Sequence, residues 1–158
     1  MSRRRAALAA LVIAGAACAR MGGVRPNITP LLGSVTRTIE APPDAVTRAL
    51  AASLDSSGVP VEAVAPDEGY VESAWYDLDT RTAHSPTLHT LDHTIKIRFF
   101  ADPVAGKTRL VAECVRRVIF DPSLPPRELE RSVPDSTPGM ALMDSVMARV
   151  LANQGGGR

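Results

Sequence analysis

Leu91-Asp92-His93-Thr94-Ile95-Lys96-Ile97-Arg98-Phe99-Phe100-Ala101 is the stretch whose reading decides the fold. From Thr94 onward apolar and polar residues alternate, the period of a strand with one buried face, and Ile95, Ile97 and Phe99 mark that face. Asp102-Pro103 and Gly106 supply a turn. Thr108 to Phe120 then repeats the alternation, with Leu110, Ala112 and Cys114 on one side and a bulge expected near Arg116-Arg117. Two long antiparallel strands therefore predict a sheet, and the rest of the chain must cover it.

Working outward, Val35 to Glu40 alternates as a first strand, and Ala41-Pro42-Pro43-Asp44 opens a helix. Proline suits the first turn and the acid suits the positive helix end. Val46, Ala49, Leu50, Ser53 and Leu54 recur at three- and four-residue spacing until Gly58 stops the helix. Val59 to Val64 reads as a strand that starts at Pro60 or lies at an edge, Asp67-Glu68-Gly69 as a hairpin turn, and Tyr70 to Tyr76 as the return strand. Asp77 to Thr90 is polar and irregular. Asp121 to Asp135 is a proline-rich crossing with one helical turn at Arg127 to Glu130. Thr137 caps a last helix with Pro138 in its first turn, and Met140, Met143, Val146, Met147, Val150 and Leu151 form its apolar face. The order predicts an α+β fold, an antiparallel sheet of four to five strands with two helices on one face.

The N-terminus carries a different kind of signal. Met1-Ser2-Arg3-Arg4-Arg5, an apolar run from Ala6 to Ala17 and a small-residue exit match a secretory signal peptide. The apolar stretch to Ala19 holds fourteen residues, whereas a spanning helix needs roughly twenty. Gly15-Ala16-Ala17-Cys18 resembles the lipobox at which bacterial lipoproteins are cut and acylated, with Gly15 where leucine is usual. That resemblance implies a lipid anchor at Cys18 and, with Ala19 next, an outer-membrane destination. Ordinary cleavage at Ala14-Gly15-Ala16 or Ala17-Cys18-Ala19 is the rival, and would release a periplasmic protein. The expected division is a signal peptide over 1–17, a flexible tether over 18–34, one domain over 35–153 and a disordered tail over 154–158.

Composition narrows the function. The chain has 18 basic and 17 acidic residues, and without Arg3, Arg4 and Arg5 the balance is 15 against 17, so no basic block remains to bind nucleic acid. Cys18 and Cys114 are the only cysteines. Cys114 lies in a strand pattern as a small hydrophobe, and no disulfide is expected. Asn27-Ile28-Thr29 has the form of a glycosylation acceptor and reads as chance in a bacterial-type chain.

The strand at 35–40, Ala41-Pro42-Pro43-Asp44-Ala45-Val46, Gly58-Val59 and Asp67-Glu68-Gly69-Tyr70-Val71-Glu72-Ser73-Ala74-Trp75 together resemble the repeat domain of BamC-type outer-membrane lipoproteins, over roughly residues 35 to 120. The resemblance implies a helix-grip-like domain and a role beside the machinery that assembles outer-membrane β-barrels. BamC-type proteins usually carry two such domains; this chain has length for one.

Candidate chemistry is sparse. His84, His89 and His93 could share a site with Asp77, Asp79 and Asp92, but an exposed polar loop running into a strand is the better explanation, since no second tight spacing supports a metal. Asp67-Glu68 and Asp77/Asp79 are paired carboxylates in places where solvent is expected, and no nucleophile elbow or phosphate loop is present. Trp75 is expected in the core between sheet and helix. Tyr76 and Phe100 have the opposite parity to the core face, and are expected to be exposed as an interaction surface. The methionine stripe is expected in the core. The sequence thus reads as a non-catalytic envelope lipoprotein that contacts another envelope protein and needs no cofactor. The alternative is a carrier holding a small molecule or lipid in a cavity lined by Ile95, Ile97, Leu110, Met143 and Met147.

Overall fold

A computed structural model describes residues 23–84, 93–118 and 121–155. The expectations for Cys18, His89, Asp92 and the rest of 1–22 fall outside the described residues, as do 119–120 and 156–158. The architecture is α+β, as the patterning predicts, with more strands than expected.

Among the described residues eight strands form the sheet: β1 (Val35–Ile39), β2 (Val61–Ala65), β3 (Tyr70–Ser73), β4 (Trp75–Asp77), β5 (Thr82–His84), β6 (Thr94–Val104), β7 (Lys107–Arg117) and β8 (Glu130–Ser132). The main order is β1-β7-β6-β3-β2, every pairing is antiparallel, and β8 extends the β1 side by pairing with the end of β7. β6 and β7 pair in unbroken register from Lys96↔Val115 to Val104↔Lys107. Ala105 and Gly106, with φ of 50° and 79°, close this hairpin as a two-residue turn whose geometry matches the twist of the strands.

Helices α1 (Pro43–Ser56) and α2 (Pro138–Gly155) lie on one face of the sheet. Val46, Leu50 and Leu54 of α1 and Met140, Met143, Val146, Met147 and Val150 of α2 bury against Ile95, Ile97, Phe99, Leu110, Ala112 and Cys114. The Ser53 hydroxyl donates to the Val146 carbonyl at 3.1 Å, tying the two helices together. Gly139 brings the start of α2 so near the sheet that a Cβ there would lie 3.1 Å from Ile95 Cγ2. The Thr137 hydroxyl, before the start of α2, donates to the Pro134 carbonyl at 2.7 Å. α2 runs to Gly155, past the expected start of the tail at Gln154.

Four departures from the expected strands are local. Tyr70 to Tyr76 is not one strand. Glu72 faces Arg98 and Tyr76 faces Ile95, so four steps along this segment match three along β6. One extra residue between β3 and β4 is a bulge, and a bulge reverses which face each later side chain occupies. The Ser73 hydroxyl fills the gap by accepting the Ile97 N–H at 2.9 Å. No such bulge occurs at Arg116-Arg117, which pair regularly with Arg131 and Glu130. The region expected to be irregular after Asp77 contains β5, paired with β4; the crossing from Asp121 has its helical turn, a 3-10 turn (Pro126–Leu129), close to where it was expected, and β8 follows it unannounced.

Gly69 is fixed by geometry. Its φ is +63°, and a Cβ would lie 2.0 Å from the Ala101 carbonyl oxygen, because the Gly69 carbonyl accepts the Ala101 N–H at 2.7 Å. Gly69→Ala must therefore push β3 away from β6 in addition to adopting a strained backbone. The expected result is a loss of about 3 kcal/mol, read as a lowered urea midpoint. An unchanged midpoint would contradict the close approach.

Candidate functional site

The face of the sheet away from the helices is where the sequence reading and the structure part most. On it lie Tyr70, Glu72, Trp75, Lys96, Arg98, Phe100, Val111, Glu113 and Val115, the alternate positions of the same strands. Residues 24–34 cross this face, and the 3-10 turn and β8 cover its β7 side.

Residues 24–34, part of the segment expected as a tether, lie on this face as a docked strap. The Glu68 carboxylate accepts the N–H groups of Val24 (3.0 Å) and Arg25 (2.7 Å). The Arg25 guanidinium pairs with Asp102 at 2.8 Å and lies over the Phe100 ring, 5.4 Å from its centroid. Ile28 packs on the cluster of Ala65, Tyr70 and Phe100. Glu113 accepts the Leu31 N–H at 3.1 Å, Arg127 donates to the Thr29 carbonyl at 2.7 Å, and Ser132 donates to the Leu32 carbonyl at 2.6 Å. The strap is irregular because Pro26 and Pro30 lack N–H donors, and side chains of the domain satisfy the backbone groups of Val24, Arg25, Thr29, Leu31 and Leu32 named above.

Beneath the strap is a buried charge network. Arg98 donates from Nε to Glu72 (2.6 Å), from Nη1 to Glu113 (3.1 Å) and Glu130 (2.7 Å), and from Nη2 to Glu130 (2.8 Å). Arg127 reaches Glu113 with both Nη atoms at 2.8 and 2.9 Å and Glu130 at 3.0 Å. Lys96 bridges Glu72 (2.6 Å) and Glu62 (2.8 Å), and the Tyr70 hydroxyl donates to Glu72. The side chains of Arg98, Glu113 and Glu130 are 9%, 1% and 2% exposed, so these are desolvated charges held by complete pairing.

The electrostatics follow from that pairing. Burial works against ionisation of Glu72, yet hydrogen bonds from Lys96, Tyr70 and Arg98 outweigh it and hold its carboxyl below the usual 4.5. Burial likewise opposes ionisation of Glu113, and Arg127, the Leu31 N–H and Arg98 reverse the balance. Burial, followed by the adjacent Glu72, pushes the Tyr70 hydroxyl upward. Carboxylates fixed in the ionised form this way accept hydrogen bonds well and exchange protons poorly near neutrality, which is the opposite of what acid–base catalysis requires.

The residues singled out from sequence fall elsewhere. Phe100 is on the expected side of the sheet but 2% exposed, because the strap covers that side; its ring meets Tyr70 at 5.4 Å between centroids. Tyr76 is 4% exposed and belongs to the helix-side core, because the bulge reverses its parity. The two residues offered as an interaction surface are therefore both interior. Trp75 is buried as expected, but the same bulge puts it on the strap side, with Lys96 Nζ 5.4 Å and the Arg117 guanidinium 5.1 Å from its ring.

Asp79 and His93 approach at 3.4 Å with both side chains about two-thirds exposed, while Asp77 accepts the N–H groups of Asp79 and Thr80 as a turn cap. Among the described residues no group of three His, Cys, Asp or Glu side chains is placed to hold a metal ion. Burial, then Glu113, pushes the Cys114 thiol up to about 12, so it is inert near neutrality. Glu72, Lys96, Arg98, Glu113, Arg127 and Glu130 were not singled out in the sequence. A signal was present: once the hairpin turns at 105–106, Arg98 and Glu113 must stand opposite each other. Neither the protein-family models nor the curated proteins compared with this chain give a match.

Two predictions follow from the network. Arg98→Met leaves Glu113 and Glu130 buried with too few cations, and is expected to lose about 3–5 kcal/mol in urea unfolding. A loss below 1 kcal/mol would mean that water reaches the site. Because the folded-state values of Glu72 and Glu113 are depressed, their contribution is complete above the ordinary carboxylate range and is lost as pH falls. The urea midpoint should therefore decline as pH drops below about 4.5, and the decline should be blunted in Glu113→Gln.

Proposed function

We propose that this chain is a non-catalytic bacterial envelope lipoprotein, anchored through Cys18 and acting by contact with another envelope protein. The observation that carries the reading is the N-terminal order of Arg3-Arg4-Arg5, the apolar run Ala6 to Ala17 and Gly15-Ala16-Ala17-Cys18. Acylation at one residue with several chains gives the stable attachment that a single chain does not. The resemblance of residues 35 to 120 to BamC-type domains is what points toward assembly of the outer membrane. The charge network adds support of a different sort, since its carboxylates and guanidinium groups are engaged with one another.

The carrier reading has less behind it. Ile95, Ile97, Leu110, Met143 and Met147, the residues that would line a ligand cavity, bury in one packed cluster, and Gly139 brings α2 within contact of Ile95.

The decisive experiment is the intact mass of the mature protein from membrane and soluble fractions of its native host, beside a Cys18→Ala variant. The expected outcome is a membrane-bound species that begins at acylated Cys18, and loss of the membrane fraction in the variant. A soluble species cut near residue 18 in both would sink the lipoprotein reading.

A further inference from the structure

Six large hydrophobic side chains are substantially exposed among the described residues; Leu32 (98%) stands alone on the strap beside Ser132, whereas Val24 (52%) and Val104 (47%) lie together at the hairpin end. The Arg25–Asp102 pair fixes them there. Val24 precedes Arg25 in the strap, and Val104 follows Asp102 by two residues at the tip of the β6–β7 hairpin. Val104 and Asp102 share a strand face, the one on which the strap lies.

The chain leading to the anchor leaves from this same end. Gly23 sits against the Glu68 carboxylate, and it is five residue steps from Cys18. Fully extended, that link spans at most about 18 Å. The opposite end of β6, at Thr94, pairs with Asp77 beside the β4–β5 turn, and lies roughly 33 Å from Val104 along the strand. An anchor at Cys18 therefore keeps the hairpin end within about 18 Å of a bilayer and leaves the β4–β5 end, farther along the strand, without such a tie.

We infer that the end carrying Val24, Val104 and Ala105 rests on the surface of the lipid bilayer, and that the β4–β5 turn points away from it. This rests on the lipid-anchor reading above and adds an orientation to it. The contact is apolar in character. Arg25 and Arg109 both pair with Asp102, Lys107 pairs with Glu40, and Glu68 stands beside Arg25, so this end carries no excess of positive charge to seek anionic lipid. Two valines bind a bilayer weakly alone; beside an anchor they need only choose which surface faces the lipid.

The test uses the acylated full-length protein reconstituted into phosphatidylcholine vesicles, with an environment-sensitive fluorophore on Val104→Cys, Val24→Cys or, at the far end, Asp79→Cys. Cys114 is buried and the anchored Cys18 sulfur is blocked, so labelling is site-specific. With nitroxide-labelled lipid present, the two hairpin-end labels should be quenched at least about twofold more than the label at 79, given the separation of roughly 33 Å. The difference should persist in high salt and in vesicles containing phosphatidylglycerol. Equal quenching at both ends of an acylated, vesicle-bound chain would overturn the orientation alone. A difference that appears only with anionic lipid at low salt would overturn its apolar basis. A mature chain that lacks acyl groups and does not float with vesicles would overturn the anchor reading and the orientation together.

Discussion

The fork of Arg98 into Glu72, Glu113 and Glu130 is the interaction on which the rest of the second sheet face depends. A guanidinium at that depth is tolerable only if every donor is met, and the three carboxylates in turn need more positive charge than Arg98 carries. Lys96 serves Glu72, and Arg127 serves Glu113 and Glu130. Arg127 lies in the crossing between β7 and α2, so this crossing must fold back over the sheet and cannot loop away into solvent. The proline-rich character of 121–135 is compatible with that demand: one 3-10 turn and a three-residue strand are enough to deliver Arg127 and Glu130. Buried ionic groups are poor sources of net stability, but once one is present the others become obligatory.

That dependence explains how far the sequence could be read. The hairpin of β6 and β7, both helices and the helix-side core are legible because one period governs each. Ile95, Ile97 and Phe99 alternate, and Met140, Met143 and Met147 recur at helical spacing. What alternation cannot report is whether the polar side of a strand faces water. Lys96, Arg98 and Glu113 have the sequence signature of a solvated face, yet they lie under a strap whose own residues show no period at all. The second failure is counting. One extra residue between Glu72 and Tyr76 exchanges the fates of Trp75 and Tyr76, and nothing in Ser73-Ala74 announces it.

With helices on one side and the strap and crossing on the other, the two faces of the sheet are both occupied. The edges differ in how open they are. β2 begins after Pro60, breaks register between Val61 and Ala63, and commits Glu62 to Lys96, features that make a strand hard to extend. β1 pairs with β7 without interruption over all five residues, and Thr36, Arg37 and Thr38 are exposed. Of these two edges, β1 is therefore the more open to a further strand.

The strap connects these considerations mechanically. It is held at two places of unequal strength. At the hairpin end Glu68 and Asp102 hold Val24 and Arg25 through half-buried groups, whereas at the β7 end Glu113 and Arg127 hold Leu31 and Thr29 with the same atoms that complete the buried charge network. Tension applied at the N-terminus first loads the contacts that solvent partly reaches, which are weaker than those of a fully desolvated network. Only after residues 24–28 have lifted does it reach Glu113, and there release of the strap would also strip a donor from a buried carboxylate. Beyond that point β1 is paired along its whole length with β7, so further pulling must break a strand ladder and no longer merely lift a strap. The arrangement gives the chain a compliant first few residues and a stiff domain behind them, with the boundary set where the strap meets the charge network.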